Sequence, residues 1–260
     1  DPTTALVERE SLDEGDDSGA AGSGDGYDLI LFSNVLSELS DPAAVVERYA
    51  DALAPTGTTA AVAPADRETA IGLREIERAV ADDGPLTIYA PTVRLWPGVS
   101  PSDECWSFDV RPDVAVPPFQ RRLDEAAGAT GEFTNVDVQF AYSLLRRDGR
   151  RRYDFDLDAS HVARLADAAD HVTNRVDCFV AKLSQDLSDG GNPLFRVGDG
   201  SQREGHFAVL TRETGLNREM RTADYGAVLS LENVLVLWND DEDAYNLVVD
   251  DETIVDPVVL

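Results

Sequence analysis

The sequence predicts an α/β chain: a mostly parallel sheet with helices over residues 1–158, then a small β-rich unit over residues 172–260. Three observations carry this reading. Between Tyr27 and Tyr89, continuous apolar runs alternate with stretches of helical spacing. A Pro-rich, irregular stretch then runs from Gly98 to Pro118. From Val176 onward, short apolar runs are separated by Gly, Asn and Asp clusters, the texture of a small barrel or sandwich.

Taken in order, Thr3–Glu8 reads as a short strand and residues 11–26 as an acidic linker. The linker holds GSGDG, but no strand enters it and no helix leaves it, and a phosphate loop needs both. Tyr27–Phe32 (YDLILF) reads as a buried parallel strand. Asp41 and Pro42 open a helix as cap and first-turn proline, with Val45, Val46, Tyr49 and Leu53 on one face, and Pro55–Gly57 stops it. Thr58–Val62 is a second strand, Asp66 caps a second helix bearing Ile71, Ile76 and Val80, and Leu86–Tyr89 is a third strand. Short connections between such elements imply right-handed crossovers. Pro118–Ala127 reads as a helix. Val136–Arg146 alternates in polarity and meets Asp148–Gly149, a hairpin turn whose strands would lie antiparallel at one sheet edge. A linking helix over residues 159–171 precedes the β-rich unit.

Composition bounds the setting. The chain has 260 residues, 50 acidic and 22 basic, for a net charge of −28, and Lys182 is its only lysine. Such a surface repels itself in dilute buffer. In about 1 M salt the Debye length is about 3 Å and the repulsion is screened, so the composition suits a halophile. With 43% hydrophobic residues recurring along the chain, an acidic disordered tail is excluded. The charge argues against a surface that attracts nucleic acid all over, and DNA is not expected as a partner. No apolar run approaches the ~18–20 residues of a membrane span, and no leader is visible; a cytoplasmic location without membrane contact is expected. Cys105 and Cys178 form neither a disulfide framework nor a zinc motif. His161, His171 and His206 are too scattered for a metal site, so no metal is expected. The first residue is Asp1 rather than Met, and the chain is read as a fragment lacking an N-terminal part.

YDLILFSNVLSELSDP resembles the fourth-strand segment of class I S-adenosylmethionine-dependent methyltransferases, and DALAPTGTTAAVAPAD resembles the turn and fifth strand after it. IYAPTVRLWPGVSPSDECWSFDV, FAYSLLRRDG and REGHFAVLTRETGLNREM are similar to successive segments of the mitochondrial small-ribosomal-subunit assembly methyltransferase-like family, the last to its closing β domain. The likeness spans most of residues 27–250. It implies a partial Rossmann-like methyltransferase domain followed by an oligonucleotide-type (OB-like) barrel, in a haloarchaeal protein. The implied function is methyl transfer from S-adenosylmethionine to a ribosome- or RNA-associated substrate, with the small ribosomal subunit or its RNA as partner. The alternative is a non-catalytic, methyltransferase-fold assembly factor of that subunit. The family holds an iron–sulfur cluster on four cysteines; here only Cys105 matches, Thr92 stands at a second position, and the C-terminal one falls near Leu210–Thr211, so no cluster is expected. If Thr3–Glu8 is the third strand of such a sheet, the Gly-rich cofactor turn lies before Asp1.

The resemblance implies cofactor binding by Glu8, Asp28, Ser33 and Asn34, with Ser33 and Asn34 also at the reaction. Ser33 and Asn34 follow a strand's carboxyl end, where open α/β sheets bind ligands. Asp28 reads either as support for the cofactor pocket or as the solvated end of a strand. Glu38 orients the same loop or favours a helix start. Pro64, Ala65 and Asp66 end the next strand and could line the acceptor side. Cys105 and Trp106 read as core. Arg146, Arg147, Arg150, Arg151 and Arg152 cluster at a hairpin tip; they could contact RNA phosphates or pair with local carboxylates.

Overall fold

The computed structural model describes residues 26–158 and 160–259. Its first sheet holds β1 (Tyr27–Ser33), β2 (Leu53–Pro64), β3 (Thr87–Ala90), β4 (Asp109–Arg111) and β5 (Val138–Arg146). The strand order is β1-β2-β5-β3, with β4 also on β5. Helices α1 (Pro42–Ala50) and α2 (Arg67–Asp82) pack on one face, and α3 (Pro118–Ala127) precedes β5. Both α1 and α2 start at side-chain caps: Asp41 accepts from Ala44 N at 3.1 Å and Asp66 from Thr69 N at 3.0 Å.

Beyond this sheet lie β6 (Arg175–Lys182), β7 (Leu194–Gly198), β8 (Gly205–Leu210), β9 (Val228–Asn239), β10 (Ala244–Val249) and β11 (Ile254–Pro257), with the short α4 (Glu219–Thr222) between β8 and β9. Five strands follow one another in the order β6-β7-β8-β10-β9 and return to β6, forming a closed barrel; β11 adds to β9. The closing pair β8–β10 is parallel, and its neighbours are antiparallel. Phe195, Leu229, Leu231 and Leu247 fill the interior. Closure removes the open edges that a flat sheet would leave.

The expected Rossmann-like α/β sheet is therefore corrected. The described residues are β-rich, 33% strand against 21% helix, and their largest regular unit is the closed barrel. Only β1 and β2 pair in parallel in the first sheet; β5 lies antiparallel between β2 and β3. The misreading has a physical source. YDLILF looks like a strand buried on both faces, yet among the described residues β1 pairs only with β2, and Leu29 and Leu31 are each 59% exposed. Pro55–Gly57 does not end a helix but lies inside β2, because α1 stops at Ala50. The strand pair expected around Asp148–Gly149 does not form: β5 is internal, and no strand occurs from 147 to 164 among the described residues. Of the expected linking helix, Leu165–His171 forms a 3-10 turn.

Sheet and barrel are joined by the irregular stretch between β3 and β4. Val93, Leu95, Trp96 and Cys105 pack against Ala181, Leu183 and Val228 of the barrel. Trp96 Nε1 donates to the buried Asp199 carboxylate at 2.6 Å, and Leu165 N donates to the same oxygen at 3.0 Å. Arg196 of β7 pairs with Asp103 of the stretch at 2.6 Å, with both side chains buried. Tyr225 Oη donates to Ser107 Oγ at 2.9 Å. Lys182 is buried too: its Nζ donates to the carbonyls of Arg221 and Ala223 at the end of α4, and desolvation lowers its pKa to about 8.

Two predictions follow from these buried charges. Removing one partner of a buried ion pair leaves the other uncompensated. Asp103→Ala should lower stability by about 3–5 kcal/mol in urea denaturation, and the double variant Asp103→Leu with Arg196→Met should recover most of that loss. His206 is stacked on Tyr245 and bonded through Nδ1 to Glu204 O at 2.9 Å; burial lowers its pKa from 6.5 to about 4. Between those values the unfolded chain takes up a proton that the folded chain refuses, so stability falls as the pH drops from about 6.5 to about 4. Denaturation at a series of pH values should show His206→Gln losing up to about 3 kcal/mol less than the parent across this window.

Candidate functional site

β1 ends at Ser33, and the chain turns at once. Asn34 adopts φ 53°, in the left-handed region, and its N–H donates to Val62 O of β2 at 2.8 Å. Asn tolerates this conformation because its short polar side chain can bond locally. A 3-10 turn, Leu36–Glu38, follows and is anchored by the buried Leu36. The result is an exposed Ser33–Asn34–Val35 corner at the carboxyl ends of β1 and β2. Glu38 sits in the 3-10 turn with its side chain exposed. At the end of β2, Pro64 is exposed and Asp66 is committed to capping α2; hydrogen bonds from Thr69 hold its carboxyl below the usual range.

The other expected site residues do not join this corner. Asp28 lies at the amino end of β1, six residues before Asn34, or about 20 Å along an extended strand. It is exposed there, as the solvated end of a strand would be. Glu8 lies outside the described residues. The arginines are at the far end of the sheet as well: Arg146 sits opposite Thr58, and Phe140 opposite Pro64. One nucleotide could not touch both the corner and Arg146.

Most of these arginines are also occupied. Arg146 forks onto Asp148, donates to Thr58 Oγ1 at 3.1 Å and Thr56 O at 3.0 Å, and lies over the Tyr89 ring. The same contact holds the Asp148 carboxyl well below the usual range. Arg147 donates to Ala50 O at 3.2 Å and pairs with Asp51. Arg151 donates to Arg94 O at 2.9 Å and pairs with Asp154. Arg150 and Arg152 make no ion pair among the described residues, and Arg152 lies over Tyr153. The local carboxylates and carbonyls thus account for three of the five.

The positions compared with a cluster-binding set behave differently from one another. Cys105 is buried, and burial raises its thiol pKa. Thr92 Oγ1 donates to Glu77 Oε2 and accepts from Arg74 Nη1, both at 3.1 Å, within a buried Arg74–Glu77 network. Leu210 is barrel core. Among the described residues, no group of three or more His, Cys, Asp and Glu side chains converges to hold a metal ion, and no helix is long and apolar enough to cross a membrane.

Ser33 and Asn34 are exposed, and they line neither the cavity beside Tyr89 and Tyr153 nor the groove along α2. The described residues do not form a cradle for S-adenosylmethionine around this corner.

The comparisons with known proteins concern the barrel. Residues 166–258 match the C-terminal domain of a family described as a domain of unknown function, DUF8157. No curated protein matches the chain.

Sequence reasoning missed two features. One is the buried Asp103–Arg196 and Asp199 contacts between sheet and barrel. The other is Gly72, whose place inside a helical pattern is a signal in itself. The Asn34 backbone can be tested directly. Asn34→Gly should leave the urea midpoint nearly unchanged, whereas Asn34→Val should cost about 1–2 kcal/mol, because a β-branched residue resists positive φ.

Proposed function

We propose that the chain is part of an S-adenosylmethionine-dependent methyltransferase acting on a ribosome- or RNA-associated substrate, with the Ser33–Asn34 corner on the acceptor side. The observation that carries this reading is Asn34, held at φ 53° by its bond to Val62 O. The left-handed backbone turns the chain at the strand end and leaves the Asn34 amide exposed. The corner stands where β1 and β2, which run parallel, both end. Asn34 offers an amide oxygen and two N–H donors, and the turn exposes a polar surface able to orient an amine or a nucleobase edge. Methyl transfer asks chiefly for alignment rather than for acid–base chemistry.

The second reading is a non-catalytic assembly factor of the small ribosomal subunit. It is favoured by the incomplete cofactor wall around Asn34 and by the barrel as the largest regular unit.

One titration separates the two. S-adenosylmethionine is titrated calorimetrically into the full-length protein in about 1 M KCl, which screens the acidic surface. The methyltransferase reading expects micromolar binding that Asn34→Ala weakens about tenfold, a change of about 1.4 kcal/mol. A folded protein that gives no heat of binding overturns it, and co-sedimentation with small ribosomal subunits then tests the assembly-factor reading.

A further inference from the structure

The helix-covered face of the first sheet contains an open groove of about 480 Å³ between α1, α2 and the 3-10 turn before α1. Leu36, Ala43, Leu73 and Ile76 line it, and Gly72 opens onto it. The α2 residues along it, Glu68, Gly72, Glu75, Ile76 and Ala79, recur at helical spacing. They span twelve residues, about 16 Å from first to last at about 1.5 Å per step, or three turns.

Gly72 has no internal explanation. It lies inside α2, where glycine costs about 1 kcal/mol relative to alanine. A Cβ placed there would meet no atom within 4 Å, and its φ is not positive. Neither close packing nor backbone geometry asks for glycine. What the missing side chain does is keep the middle of the groove clear.

We propose that this groove receives an amphipathic helix from a basic partner protein. An extended peptide would find no open strand edge here to satisfy its backbone, whereas a helix satisfies its own and offers an apolar stripe of the right spacing. The lining calls for that stripe, since its floor is aliphatic. The rim specifies the charge. Glu68 and Glu75 are exposed one above the other along α2, and neither makes an ion pair among the described residues. Lys or Arg flanking the apolar stripe would meet them at contact distance, inside the short Debye length that molar salt leaves. The inference does not depend on methyl transfer.

The probe is a fluorescein-labelled synthetic peptide of about five helical turns, with Leu on one face and Lys and Arg on the other. Its control is a peptide of the same composition with the Leu positions scrambled. Anisotropy is read against the full-length protein in about 1 M KCl, where a Debye length of about 3 Å suppresses unspecific attraction. The patterned peptide is expected to bind at least about tenfold more tightly than the scrambled one. Gly72→Phe should abolish that margin while the protein melts at the same temperature or higher, and Gly72→Ala should keep it. In low salt, Glu68→Gln with Glu75→Gln should weaken binding several-fold. Equal binding of the two peptides overturns the proposal, as does a margin that survives Gly72→Phe. Sedimentation showing a dimer that Gly72→Phe dissolves would assign the groove to a second copy of the chain and overturn it as well.

Discussion

Where the two halves of the chain meet, a carboxylate with no solvent contact organises both. Asp199 accepts from Trp96 Nε1 and Leu165 N on one oxygen and from Ser201 N and Oγ on the other. Burial pushes its pKa up while those four donors pull the other way. Desolvating a carboxylate is costly unless donors replace water. The arrangement therefore holds only while the stretch after β3, the 3-10 turn at Leu165 and the β7–β8 connection keep their places together. The Asp103–Arg196 pair repeats the device on the same stretch. Neither contact sits within one secondary element; each ties segments distant in sequence.

Arginines in an acidic chain are drawn to nearby carboxylates and carbonyls, and Arg146, Arg147 and Arg151 are spent in that way at the amino end of the sheet. The carboxyl end carries the exposed Ser33–Asn34 corner, and the helix-covered face carries the groove around Gly72. The proposed site and the proposed groove thus stand on the first sheet without sharing residues with the sheet–barrel junction. Each can be altered while the junction stays intact.

Much of the local structure was legible. Asp41 and Asp66 are helix caps because a short acidic side chain ahead of an apolar periodic run can bond the free N–H groups of the first turn. The helix Pro118–Ala127 begins and ends where the sequence reading placed it. The pairing order was not legible. Nothing in Val136–Arg146 says that the strand inserts between β2 and β3, since alternation reports one buried face and not the neighbour on either side. The corner at Asn34 was read as a site from its place after a strand, but its left-handed backbone became visible only through the bond to Val62.

By itself the sequence determined the helices that open at Asp41 and Asp66, the helix Pro118–Ala127 and the acidic composition, because these depend on contacts within a few residues or on composition alone. The tertiary structure decided that the second half closes through the parallel pair of β8 and β10, and that the arginine cluster is largely consumed by its own neighbours. It also decided that Gly72 faces an open groove. Each of these depends on which distant segments meet. A local pattern of polarity constrains a residue's burial and leaves its partner open, and the partner is chosen only when the whole chain packs.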